Sequence, residues 1–83
     1  MNNPESVQII ERFFQAFEAI KEKGLIRFNQ DFLDKYEIPK STFYDSRRDY
    51  LSDRFQISWL AHLVNDYGVS AEWLFSGKGK MFL

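Results

Sequence analysis

The sequence predicts an all-α fold, a compact single-domain bundle of about five short helices spanning residues 1–83. Three observations predict it. Apolar residues recur at helical spacing, most clearly from Val7 to Ile20. Helix punctuation is regular: Pro4 and Pro39 stand where helices begin, and Gly24, Gly68 and Gly77 stand where they stop. Nine Phe, four Tyr and two Trp in 83 residues supply bulky core material, which places the chain far from disordered compositions.

The first helix is expected over residues 4–23. Asn3 can cap it, Pro4 suits its first position, and Glu5 complements the positive end of its dipole. Val7, Ile10, Phe14 and Phe17 form its apolar stripe, widened by Phe13 and Ile20. Lys21 and Lys23 sit in its last turn, and Gly24 supplies a left-handed stop. A second helix is expected to start with Asn29 as its cap, with Phe28 and Leu33 as a hydrophobic staple. Phe32, Leu33 and Tyr36 form its inner side, and Pro39 keeps it from running on.

The third helix is expected from Pro39 or Lys40 to about Arg48, and its composition is unusual. Phe43 and the ring of Tyr44 are almost its whole apolar content; the rest is Lys40, Ser41, Thr42, Asp45, Ser46, Arg47 and Arg48. Such a helix has one anchor and gives most of its surface to a partner. After a turn around Asp49–Ser52, Ser52 is expected to cap a fourth helix. This helix carries Phe55, Trp59, Leu60, Leu63, Val64 and Tyr67 inward and stops at Gly68. Ser70 caps a short fifth helix, with Val69 and Leu74 as its staple and Gly77 and Gly79 ending it. Met81 and Phe82 form an apolar tail expected to fold back onto the body.

Residues 29–48 have the layout of a helix-turn-helix: apolar Phe32, Leu33 and Tyr36, a tight turn at Glu37, then Ile38 and Phe43. The stretch IPKSTFY, Ile38 to Tyr44, resembles the start of a recognition helix in the lambda-repressor-like, Cro-type family. The tail YGVSAEWLFSGKGKMF, Tyr67 to Phe82, is similar to the closing helix and glycine turn of phage-repressor N-terminal DNA-binding domains. The resemblance covers nearly the whole chain, and the tail is its most specific part. Four positions depart from the family pattern. Leu33 stands where a small residue is usual, Ser46 where an apolar one is usual, and Gln30 one place later than the family's Gln. Glu37 stands where Gly is usual, because that residue often has positive φ; Glu in that conformation costs on the order of 1 kcal/mol.

The resemblance implies a transcriptional regulator of the repressor type that reads double-stranded DNA, as a homodimer on a palindromic site. It also implies which residues meet the duplex. With Phe43 inward, a step of about 100° per residue puts Ser41, Asp45 and Arg48 on the opposite face with Tyr44 beside them, and Lys40 at the tip. These five are the expected base readers. Lys40 and Arg48 can donate to guanine O6 and N7, Ser41 can donate or accept, and Asp45 can accept from cytosine N4. Asn29, Gln30 and Thr42, with Arg47 and Arg54 behind them, are the expected phosphate contacts. Plainer roles stand beside these. Arg47 and Arg48 satisfy a helix C-terminus, Tyr44 can pack sideways on the second helix, and Asp31, Asp34 and Glu37 suit a solvated face. His62, the one histidine, suits a surface or partly buried position better than a ligand or base.

Charge works against a duplex-binding role. The chain carries a formal net charge of −1, whereas such domains are often strongly basic. The one positive stretch, 38–54, holds four basic residues (Lys40, Arg47, Arg48, Arg54) against three acidic ones (Asp45, Asp49, Asp53). This keeps open a rival in which the fold is a protein-interaction or dimerisation module without DNA binding. Paired catalytic carboxylates, metal-ligand spacings, activated nucleophiles and phosphate loops are all missing from the sequence, so an enzyme, a cofactor, a metal and a small-molecule ligand are not expected. With no cysteine, no disulfide staples the fold. The opening Asn2-Asn3-Pro4-Glu5 lacks the basic-then-apolar pattern of a secretory signal, and no apolar run approaches the ~20 residues of a membrane span. The expected location is cytoplasmic.

Overall fold

The computed structural model describes residues 3–83. The described residues form five helices: α1 (Pro4–Glu22), α2 (Asn29–Lys35), α3 (Lys40–Arg48), α4 (Ile57–Tyr67) and α5 (Ala71–Ser76). They pack into a body of 31 × 31 × 18 Å.

Helix α1 begins as its sequence dictates: the Asn3 side chain accepts from Ser6 N–H at 2.8 Å, with Pro4 at the first helical position. Lys23 closes the last turn, and Gly24 follows with φ +79°. The buried side of α1 is centred on Phe13, Ala16, Phe17 and Ile20, while Val7 is half-buried at its margin. Phe13 is the hub of the core. Its ring lies 5.0–6.5 Å from those of Phe14, Phe32, Phe43, Phe55 and Trp59, so α1, α2, α3, α4 and the segment before α4 all meet on one side chain. Edge-to-face geometry dominates, as the quadrupoles of aromatic rings favour.

The start of α2 differs from expectation. Phe28, not Asn29, is the cap, and the carboxylate of Asp31 accepts the Phe28 N–H at 3.0 Å. An acid three residues into the helix thus takes over the capping, and Asn29 becomes the first helical residue. Nor do Phe28 and Leu33 staple the turn. Phe28 is 59% exposed beneath the Arg27 guanidinium, while Leu33 is buried.

The exit from α2 is a Schellman-type turn. Ile38 N–H donates to Leu33 C=O at 2.9 Å and Glu37 N–H to Asp34 C=O at 3.4 Å. The turn requires a left-handed residue, and Glu37 supplies it at φ +54°. Pro39 then caps α3 from extended backbone, and Phe43, fully buried, pins α3 to the hub.

Helix α4 also starts later than expected. Ser52 does not cap it; the helix begins at Ile57 after Gln56. Asp49 holds the intervening segment in a turn of its own, accepting Leu51 N–H on its carboxylate at 2.9 Å and Ser52 N–H on its carbonyl at 3.0 Å. Asp53 then adopts φ +65°. Phe55 still points inward, 4.9 Å from the Trp59 ring, but it does so from the loop before α4.

The end of the chain follows its sequence closely. Gly68 ends α4 with φ +72°, and Ser70 Oγ accepts Trp73 N–H at 3.2 Å to cap α5. Val69 and Leu74, the expected staple pair, are both fully buried. Gly77 is left-handed and lies close under Arg12; a Cβ there would sit 2.9 Å from Arg12 Nη2. Arg12 in turn donates to Leu74 C=O at 3.1 Å, tying α1 to the C-terminus of α5. The tail folds back as an antiparallel bridge between Val69 and Phe82, with Ser70 N–H donating to Met81 C=O at 2.8 Å. Among the described residues, no helix is long and apolar enough to cross a membrane.

Candidate nucleic-acid interface

The ten residues singled out by sequence lie on α2, on α3 and in the segment that follows α3. Two of the α3 side chains face the core: Phe43 and Ser46, the latter 1% exposed. Opposite them the helix meets solvent. Lys40, Ser41 and Arg48 are exposed, and Thr42, Tyr44, Asp45 and Arg47 are half-buried. On α2, Gln30 is exposed and Asn29 half-buried; Arg54 is exposed in the loop after α3.

Hydrogen bonds divide this group. Asn29 Nδ2 donates to Tyr44 Oη at 3.0 Å, which joins the first residue of α2 to the middle of α3. Tyr44 therefore packs sideways on α2 while its hydroxyl proton stays available to a further acceptor. Among the described residues, Asn29 Oδ1 is buried without a partner, and so is Ser46 Oγ. Gln30 Nε2 donates to Asp34 Oδ1 at 2.8 Å along the outer face of α2.

The two adjacent arginines of α3 go in different directions. Arg47 Nη2 reaches Glu18 Oε2 on α1 at 3.0 Å, and Glu18 also holds Lys21 at 3.5 Å. Arg48 pairs with Asp45, three residues back on its own helix. Lys40 and Arg54 make no ion pair among the described residues. The positive charge of the region is thus partly neutralised by local carboxylates, and its uncompensated cations stand at the two ends of the α3 segment. Sequence reasoning missed both arginine pairings. The i, i+3 spacing of Asp45 and Arg48 was a usable signal; nothing local to the sequence points from Arg47 to Glu18.

Behind this face, a shallow cavity of about 570 Å³ lies between α1 and the end of α3, lined by Glu11, Phe14, Gln15, Glu18, Arg47 and Tyr50. The Phe14 and Tyr50 rings stack along it at 6.0 Å.

A second polar cluster braces α2 against α4. The His62 ring stacks on Tyr36 at 3.8 Å and 10°, and the Tyr36 hydroxyl donates to Asp66. Burial, then the hydrogen bond to Asp66, pushes the Tyr36 phenol far above its ordinary range. Burial lowers His62 below the usual imidazole value, against an opposing pull from Asp66. Among the described residues, no group of three or more His, Cys, Asp or Glu is placed to hold a metal ion.

No family model, no curated protein and no solved structure matches this chain.

Proposed function

We propose that the chain is a sequence-specific double-stranded DNA-binding domain, acting in the cytoplasm as a transcriptional regulator of phage-repressor type and without enzymatic activity. One observation carries the reading. Helix α3 is held to the core by Phe43 and leaves Lys40, Ser41 and Arg48 exposed, with Tyr44 and Asp45 half-buried beside them, which is what a helix needs to enter a major groove. The turn between α2 and α3 supports it, since the family's left-handed turn residue and the positive φ of Glu37 coincide. The residues of α2, the turn and α3 act as a helix-turn-helix, with α2 crossing the backbone and α3 in the groove.

Two copies acting on a palindromic site would place their α3 helices about one turn of DNA apart, ~34–36 Å. A body 31 Å across fits two side by side on one face of the duplex at that spacing. The test is a salt titration on operator-length duplex. Log K should fall linearly with log salt, with a slope that counts the phosphates neutralised. A flat dependence removes phosphate contact from the account.

A second reading keeps the fold as a protein-interaction or dimerisation module. The carboxylates on Arg47 and Arg48 favour it, as do Leu25, Phe28, Leu51, Ile57, Phe75 and Leu83, large apolar residues more than half exposed. Absence of duplex binding at low salt, together with a mass showing a stable protein complex, would put it first.

A further inference from the structure

We propose that a second copy of this chain docks its lysine-bearing C-terminal turn into the groove between α1 and the end of α3, so that the protein associates head to tail. The contact lies apart from the exposed face of α3 and does not depend on DNA binding.

The groove has a defined chemistry. Its cavity of about 570 Å³ is walled by two stacked rings, Phe14 and Tyr50 at 6.0 Å, with the carboxylates of Glu11 and Glu18 beside them. Glu18 is shared between Arg47 and Lys21, whereas Glu11 is exposed and makes no ion pair among the described residues. An aromatic wall beside an uncommitted carboxylate suits a side chain with a hydrocarbon stem and a cationic tip. The rings take the stem, and the carboxylate takes the ammonium.

The chain carries such side chains on another of its surfaces. Gly77 and Gly79, both left-handed, turn the segment after α5. Lys78 and Lys80 stand exposed on that turn without an ion pair among the described residues. Two more cations are near. Arg12 lies under Gly77, and Lys23 stands over the Phe82 ring at 4.5 Å; against them is Glu72, beside Gly79.

A basic turn and an acidic groove can meet within one chain or between two. The first is closed to this fold. A step of about 100° per residue puts Arg12, which lies under the turn, about 100–120° around α1 from Glu11 and Glu18. The turn is also fastened there: Ser70 N–H donates to Met81 C=O at 2.8 Å, and Leu83 N–H donates to Gly68 C=O at 2.9 Å. Because the two surfaces differ, the contact between copies is heterologous. Each pair leaves one groove and one turn unfilled, and association runs on past a dimer. Opposite charges also reject the wrong pairings, groove on groove or turn on turn.

The experiment is sedimentation of the chain without DNA, over a range of concentrations at low and high salt. Average mass should climb past that of a dimer and fall back as salt screens the contact. Glu11→Lys, and separately Lys78→Glu with Lys80→Glu, should need roughly tenfold more protein or more to reach the same mass. Mixing these two variants should restore association, since the intact turn of one meets the intact groove of the other. Tyr50→Ser should weaken association with no change of charge, each variant first shown to keep its helical circular dichroism. A monomer at every concentration, a dimer that grows no further, association indifferent to both charge reversals, or a mixture that stays apart overturns the proposal. So does a lysine variant that loses duplex affinity while self-association is unchanged, which would assign the turn to phosphate. None of the sedimentation outcomes bears on the DNA-binding reading, because no duplex is present.

Discussion

Arg47 and Glu18 join α3 to α1 through an ion pair of 3.0 Å, and that pair engages a cation that a DNA backbone could otherwise use. Both side chains are more than a third exposed, so water screens the pair and it adds little to stability. Its larger consequence is for binding. Glu18 occupies the guanidinium as a phosphate would, and any phosphate must compete with it. Replacing Glu18 by Gln frees Arg47 without changing side-chain size. The expected outcome is tighter binding to duplex of any sequence and a salt slope steeper by about 0.9, the contribution of one more neutralised phosphate. Equal slopes for wild type and Glu18→Gln would remove Arg47 from the phosphate set.

Ser46 offers a separate test of how α3 is seated. It is 1% exposed and its hydroxyl has no partner among the described residues, at a position where the resembled family places an apolar residue. A buried hydroxyl left unpaired costs about 1–3 kcal/mol. Ser46→Ala removes that cost and improves helix propensity, so it should stabilise the domain by about 1 kcal/mol, a rise in Tm of roughly 4–8 °C for a chain of this size. A lower Tm would show that the hydroxyl is satisfied in solution.

Glu37 carries a related cost in the backbone. At φ +54° its Cβ is strained, and the Schellman-type turn leaves it no other conformation. Glu37→Gly should therefore stabilise by about 1 kcal/mol, read as a higher urea midpoint at unchanged m-value. A loss of stability would mean that the freedom gained by glycine in the unfolded chain outweighs the relieved strain.

These two positions also show what the sequence made legible. Glu37 and Ser46 were visible as departures from a family pattern, and the structure finds a left-handed Glu and a buried, unpartnered Ser there. Elements with strong local signals were legible as well: Asn3 and Ser70 cap, and Gly24, Gly68 and Gly77 stop, because those interactions span at most a few residues. Failures occurred where local signals compete. Asn29 and Asp31 both offer oxygen near the start of α2; Asp31 takes the Phe28 N–H, while Asn29 is the first helical residue and donates its amide to Tyr44. Ser52 lost to Asp49, whose carboxylate commits the chain to a turn before a helix can begin. Of the candidate site, the exposed face of α3 was legible from periodicity around Phe43. The Arg47–Glu18 link was not, because residues far apart in sequence meet only after the core has formed.

His62 makes the stability of the domain depend on pH in a direction that can be worked out. Its ring is stacked on Tyr36 and lies near Phe32, and burial there disfavours the imidazolium; Asp66, one turn along α4, opposes the shift without cancelling it. The folded-state pKa therefore lies below the ordinary value near 6.5 that the unfolded chain retains. Where the two differ, the unfolded state binds the proton more readily, so stability rises with pH across that interval. The stabilisation is fully present above the unfolded value and is lost as pH falls toward the folded one, after which this group adds no further slope. Urea midpoints between pH 7.5 and about 5, above the range where most carboxylates titrate, should decline for the wild type. His62→Phe keeps an aromatic ring against Tyr36 and should flatten the decline. A wild-type midpoint that rises on acidification would mean that Asp66 and the Tyr36 ring stabilise the imidazolium more than burial penalises it.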